Sequence, residues 1–205
     1  MRWSESSGGH DFEQAPTGAQ VARCVRLIDI GTQDGEWQGK PTKKREVVIT
    51  WELPNCLMTE GEYAGQPFIV SSFFTASLSE TANLRKMLIA WRGRDFTPEE
   101  LLGFDARNIL GKTCMLNLIS KNGKTKVNTV MQLPKGMPVP EQINPTVYFS
   151  LDEFNQEVFD NISKGIKAKI EKSPEYQAIG QKGNGFEDLA NDLPWVDEQE
   201  EDIPF

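Results

Sequence analysis

The stretch PFIVSSFFTASLSETANLRKMLIAW, residues 67–91, decides how this chain is read. Its first half, PFIVSSFFTASL (67–78), is dense in β-branched and aromatic residues, the composition of a strand. Its second half changes period. Leu84, Met87, Leu88 and Trp91 recur at i, i+3, i+4 and i+7, the stripe of a helix that buries one face. Ser77 and Glu80 stand at capping-box spacing and mark the expected start of that helix. A strand that runs straight into a helix, inside a chain otherwise rich in strand patterns, leaves few folds open.

Before this unit, GAQVARCVRLIDIG (18–31) is apolar on both alternating sets: Val21, Val25 and Leu27 against Cys24, Ile28 and Ile30. That pattern predicts a long strand that bends or carries a bulge. REVVITWELP (45–54) alternates more cleanly, with Val47, Ile49, Trp51 and Leu53 on one face and Val48, Thr50 and Glu52 on the other. Between them TQDGEWQGKPTKK (32–44), with two Gly and a Pro, is expected to form a long hairpin loop. After the unit, Thr97-Pro98-Glu99-Glu100 opens a short helix running to about Leu102, with an N-cap, Pro at the first position and Glu at the third. TCMLNLIS and TKVNTVMQL then flank Lys121-Asn122-Gly123-Lys124, whose Asn-Gly pair signals a tight hairpin.

Strand, strand, strand, helix, strand, strand is the order of an OB-fold, a five-stranded Greek-key barrel whose ligand surface involves strands two and three and the loops one-two and four-five. The expected class is therefore mainly β with α: an OB-fold barrel with its helix between strands three and four. Other five-stranded barrels and α+β sheets give the same string. The expected organisation is a flexible arm (1–17), the barrel (18–135), a connector, strand and helix packing on the barrel (136–178), and a disordered acidic tail (179–205). In the third part, LPKGMPVPEQINP leads to a helix from about Asp152 to Lys172. Its Phe154, Val158, Ile162, Ile166 and Ile170 recur every four residues, an apolar stripe for the barrel or for a second copy.

Charge separates body from tail. From Phe186 onward stand Glu187, Asp188, Asp192, Asp197, Glu198, Glu200, Glu201 and Asp202 with no Lys or Arg, equal to the whole formal charge of −8. Residues 18–135 hold 16 Lys/Arg against 12 Asp/Glu, a mildly basic core tethered to an acidic tail. Such a core suits a polyanion, and the tail competes for the same surface. No stretch approaches the roughly 18 apolar residues of a membrane span, and MRWSESSGGHDFEQ has no signal-peptide character, so a cytoplasmic location without membrane contact is expected.

Enzyme readings fare poorly. His10 is the sole histidine, and Cys24, Cys56 and Cys114 form no CxxC pair, so neither a metal site, a disulfide framework nor a Ser-His or Cys-His nucleophile is expected. Asp29, Asp34 and Glu36 read as a solvated acidic loop rather than a metal-nuclease cluster. No cofactor is called for.

Single-stranded DNA is held where cations track phosphates and aromatic faces stack bases. The first loop offers Trp37 between Gly35 and Gly39, followed by Lys40, Lys43, Lys44 and Arg45. The second hairpin offers Lys121, Lys124 and Lys126, and the first strand Arg23 and Arg26. Trp51 and Trp91 read as core. Of the adjacent Phe73 and Phe74 one faces the core and the other is a candidate stacking platform, as is Tyr63 in EGEYAGQP.

The ending Glu201-Asp202-Ile203-Pro204-Phe205 resembles the acidic, Ile-Pro-Phe-terminated tail of bacterial single-stranded DNA-binding proteins. Through ARCVRLIDIGTQ, LLGFDARNILGKTCMLNLIS and PKGMPVPEQINPTVYFSLDEF, the body is similar to phage-encoded single-stranded DNA-binding proteins. The resemblance implies a non-catalytic protein that coats single-stranded DNA and recruits host or phage replication and recombination enzymes through those last five residues, as a monomer or a homo-oligomer. A strand-annealing accessory protein and a protein-binding adaptor are the rival readings.

Overall fold

The computed structural model describes residues 13–180. They form a mainly β structure with short helices: β1 (Gly18–Trp37), β2 (Lys40–Leu57), β3 (Pro67–Thr75), α1 (Asn83–Arg92), α2 (Pro98–Leu102), a 3-10 turn (Ala106–Ile109), β4 (Thr113–Lys121), β5 (Lys124–Met131), β6 (Val147–Phe149), α3 (Gln156–Asp160) and α4 (Lys164–Ile170). The sheet order is β3-β2-β1-β4-β5, and β6 pairs with β1 in parallel at Arg26–Ile28. The strands at the two ends of that order, β3 and β5, line one cleft of about 510 Å³ together with α1.

β1 is the hub, and its two-sided apolar pattern has a physical cause. The β2 register skips one residue between Cys24 and Arg26 and another between Asp29 and Gly31. Each skipped residue reverses which alternating set faces which side. Thus Ala22 and Cys24 join Leu27 in the inner core, beneath α1, while Ile28 and Ile30 join an outer core with Val48, Phe149, Phe159 and Ile170.

The inner core carries the largest ring. Trp51 is fully buried, with Trp91 of α1 at 6.0 Å between ring centroids, and Trp91 Nε1 donates to the Thr113 carbonyl at 2.8 Å. Met87, Leu88 and Trp91 are buried as the helical stripe requires. At α2, Thr97 Oγ1 accepts from Glu100 N and the Glu100 carboxylate accepts from Thr97 N, the reciprocal cap that Thr-Pro-Glu-Glu predicts.

Four expectations are corrected. Residues 32–44 are no loop: they continue β1 and β2 as a two-stranded ribbon, Thr32 opposite Arg45 out to Trp37 opposite Lys40, turning at Gln38 (φ 50°) and Gly39 (φ 74°). Two residues at positive φ match the twist of paired strands, so the ribbon needs no longer connection. α1 begins at Asn83, not near Ser77; its N-cap is Ala82 with no side-chain bond, because the Ser77 hydroxyl is engaged with the Ser79 amide. The single helix expected over 152–172 breaks at residues 161–163 into α3 and α4, with Asn155 Oδ1 capping the first. The stripe survives the break: Phe154, Val158, Ile162, Ile166 and Ile170 all belong to the outer core. Lastly, residues 13–17 of the expected loose arm are tied down. Glu13 accepts from the Thr59 and Glu60 amides, Thr125 Oγ1 donates to the Ala15 carbonyl at 2.6 Å, and Ala15 is buried.

Residues 174–180 are helical and close over β1. Thr32 donates through N and Oγ1 to the Glu175 carboxylate, at 2.9 and 2.6 Å. Gly31 permits this approach. It sits at φ 71°, and a Cβ there would lie 2.5 Å from Ser173 Cβ and Oγ.

Candidate nucleic-acid interface

The outer core covers only part of the outward face of the sheet. The remainder is a groove of about 720 Å³ floored by Arg26 and Ile28 of β1, Val48 and Thr50 of β2, and Ile69, Ser71 and Phe73 of β3. Its wall is made by Val147 and by Glu157, Asn161, Ser163 and Ile166 from the α3–α4 segment. Alternation along β3 sends Ile69, Ser71 and Phe73 to this face and Phe68, Val70 and Phe74 to the inner core. That resolves the Phe73/Phe74 pair. Phe73 is 47% exposed and lines both the groove and the cleft beside β5, whereas Phe74 packs on the inner core and lines only that cleft.

Polar side chains alternate with apolar ones along this lining and are specifically placed. The Thr50 and Ser71 hydroxyls bond each other at 2.9 Å on the floor. Lys169 Nζ lies 5.6 Å from the Phe73 ring centroid, within cation–π range, so a cation already stands on the aromatic platform. At the other end Glu52, fully buried, accepts from Ile143 N (2.9 Å), Asn144 N (2.7 Å) and Asn144 Nδ2 (2.8 Å) and pins the connector beside the groove. No family model matches the chain, and neither does any curated protein.

Of the residues singled out from sequence, Arg26 and Phe73 meet in the groove. Lys40, Lys43 and Lys44 are exposed on the β1–β2 ribbon; Lys43 lies 3.6 Å from Asp34, an exposed pair that contributes little. The backbone of Trp37 closes the ribbon opposite Lys40. Lys121, Lys124 and Lys126 are exposed around Asn122-Gly123. β4 ends where β1 begins, with Gly18 opposite Leu118, so this hairpin and the ribbon tip sit at opposite ends of β1 rather than side by side. Tyr63, 51% exposed, lies in the β2–β3 loop, off the groove lining.

Two proposed phosphate ligands are occupied by other work. Arg45 binds both carboxylate oxygens of Asp29 and one of Asp152, and these pairs hold its guanidinium charged well above the ordinary range. Asp29 is buried rather than part of a solvated acidic loop, and it also accepts from Gly31 N and Leu151 N. Arg23 donates to the Gly111 and Pro140 carbonyls at 3.0 and 2.6 Å. Both arginines lash loops to β1.

Lys169, Thr50, Ser71 and Asn161 were missed. Nothing in a single sequence marks which helical lysine will lie over which strand aromatic, because that contact depends on where α4 docks. Among the described residues no cluster of three metal-ligating side chains occurs, and no helix is long and apolar enough to cross a membrane. Cys24 and Cys114 are buried, and burial pushes the Cys24 thiol up to about 12. Residues 201–205, the candidate partner ligand, lie outside the described residues.

Proposed function

We propose that this chain binds single-stranded DNA in the β1–β2–β3 groove, coats and protects it during phage replication or recombination, and recruits partner enzymes through Glu201–Phe205. The observation that carries the reading is Phe73: a large aromatic, nearly half exposed, on the floor of an open groove with cations beside it. Burial of apolar side chains drives folding, so a ring left nearly half exposed at an open groove can stack on another planar group once the flexible Lys169 side chain yields its face. The finer fold reading, a five-stranded OB barrel, belongs to the same proposal. It draws support from the β3-β2-β1-β4-β5 order, the bent β1 shared along its length, the position of α1 between β3 and β4, and the cleft shared by β3 and β5. The likeness to phage-encoded single-stranded DNA-binding proteins points the same way.

The test is a titration of labelled oligothymidylate at two salt concentrations with the intact chain and with Phe73→Ala. Binding that weakens as salt rises is expected, and the variant should lose about 1–3 kcal/mol of affinity, one base stack, while keeping its unfolding midpoint. No binding at low salt, or a folded Phe73→Ala protein with full affinity, overturns the reading.

A further inference from the structure

Arg26 stands apart from every other described arginine. Arg23, Arg45, Arg85, Arg92, Arg94 and Arg107 each donate to a carbonyl or carboxylate. Arg26 lines the groove with its Nε shut off from solvent, and among the described residues its guanidinium has no hydrogen-bond or ion-pair partner. Its Nη1 and Nη2 are also unbonded but are not shut off from solvent, so they are the donors an acceptor entering the groove can reach. The register offers no relief from within, since Arg26 lies opposite Thr50 and Val147 and the Thr50 hydroxyl is engaged with Ser71.

Resting on the single-stranded DNA reading, we infer that this groove takes the base rather than the phosphate, and that Arg26 selects guanine. Ile69, Phe73 and Ile166 give the mixed lining an apolar stretch that suits the face of a base, while its polar members can meet a base edge. The guanidinium is a planar fork of donors with no acceptor. Guanine presents two adjacent acceptors, O6 and N7, and matches that fork; adenine sets its N6 amino donor beside N7 and opposes it. Glu157, lining the same groove from α3, is an acceptor for the N1–H and amino donors on guanine's other edge, where adenine carries no equivalent pair.

The test uses the full chain and an oligothymidylate of about 15 nucleotides, near the upper site size of one such domain, carrying a single central guanine, adenine or 7-deazaguanine. Anisotropy titrations should show guanine bound about tenfold tighter than adenine, the gain expected of one bidentate contact. 7-Deazaguanine, lacking N7, should lose most of that gain. Arg26→Lys keeps the charge and replaces the fork with a single point donor, so it should lose most of the guanine preference, keeping only the part that Glu157 supplies, with an unchanged salt slope. Equal affinity for guanine and adenine in the native protein, or a preference of undiminished size in Arg26→Lys, overturns the assignment while leaving the binding reading intact. If none of the oligonucleotides binds, the single-stranded DNA reading falls, and this inference with it.

Discussion

Trp51 and Phe73 are large aromatics on neighbouring strands, and residue-level physics gives them opposite roles. Trp51 is fully buried against Trp91, whereas Phe73 faces the groove. Trp51→Ala should destabilise the protein by about 3–5 kcal/mol, the cost of a large cavity, as measured by denaturant unfolding. Trp51→Phe should lose clearly less, because the indole Nε1 has no acceptor among the described residues and so no hydrogen bond is forfeited. Equal losses in the two variants would show that the indole N–H contributes in a way the contacts do not. Alternation alone assigned Trp51 to a core face. For Phe73 and Phe74 it required only opposite faces, and which face stays open depended on where α3 and α4 come to rest.

At the scale of elements, the C-terminal helical segment is held on β1 by one glycine and one carboxylate. Gly31→Ala places a side chain at φ 71° and drives it into Ser173. The backbone term alone is roughly 1–3 kcal/mol. The expected result is early loss of hydrogen-exchange protection over 171–180 with β2 and β4 still protected, and uniform protection in the variant would refute it. Glu175 adds a pH dependence. Burial by itself raises its pKa, but hydrogen bonds from Thr32 Oγ1 and N outweigh that and leave it lowered. Its stabilisation is therefore complete above the unfolded-state value and is lost as pH falls through the lowered folded value. The same segment should loosen on acidification below the ordinary glutamate range. In Glu175→Gln it should already be loose at neutral pH, with a flat profile; a wild-type profile in that variant would exclude the residue. The ribbon of residues 32–44 was unreadable for a related reason. Two glycines and a proline match loop composition, while the strand pairing that overrides them is made only once β1 and β2 lie side by side.

For the whole molecule, charge and distance act together. Lys40 and Lys43 stand on the ribbon and Lys169 beside Phe73, whereas Lys121, Lys124 and Lys126 lie at the far end of β1. Replacing Lys40, Lys43 and Lys169 with Ala should cut the log–log salt slope by about 2, near 0.7 per phosphate contact. The Lys121/Lys124/Lys126 triple Ala variant should change the slope for long strands only, because an oligonucleotide confined to the groove does not reach the hairpin. Identical effects at both lengths would place the strand elsewhere. The eight acids from Glu187 to Asp202 oppose those cations. Deleting residues 187–205 should tighten DNA binding, most at low salt where screening is weakest. Unchanged affinity at low salt would remove the tail as a competitor.

Much of the fold is legible in the sequence itself. Alternation in 45–54, the 3.6-residue stripe of Leu84–Trp91, the Thr97–Glu100 cap and the Asn122-Gly123 turn are local properties, set within a few residues by side-chain direction and backbone sterics. They determined the mainly β character, the order of the elements and the inner face of β2. The tertiary structure decided what depends on distant partners: that Arg23 and Arg45 are consumed by carbonyls and carboxylates far along the chain, that the two lysine hairpins lie apart, and that Arg26 alone among the described arginines is left without an acceptor. A hydrogen bond needs its donor and acceptor within about 3 Å of each other, and that proximity is made by packing rather than by neighbouring residues.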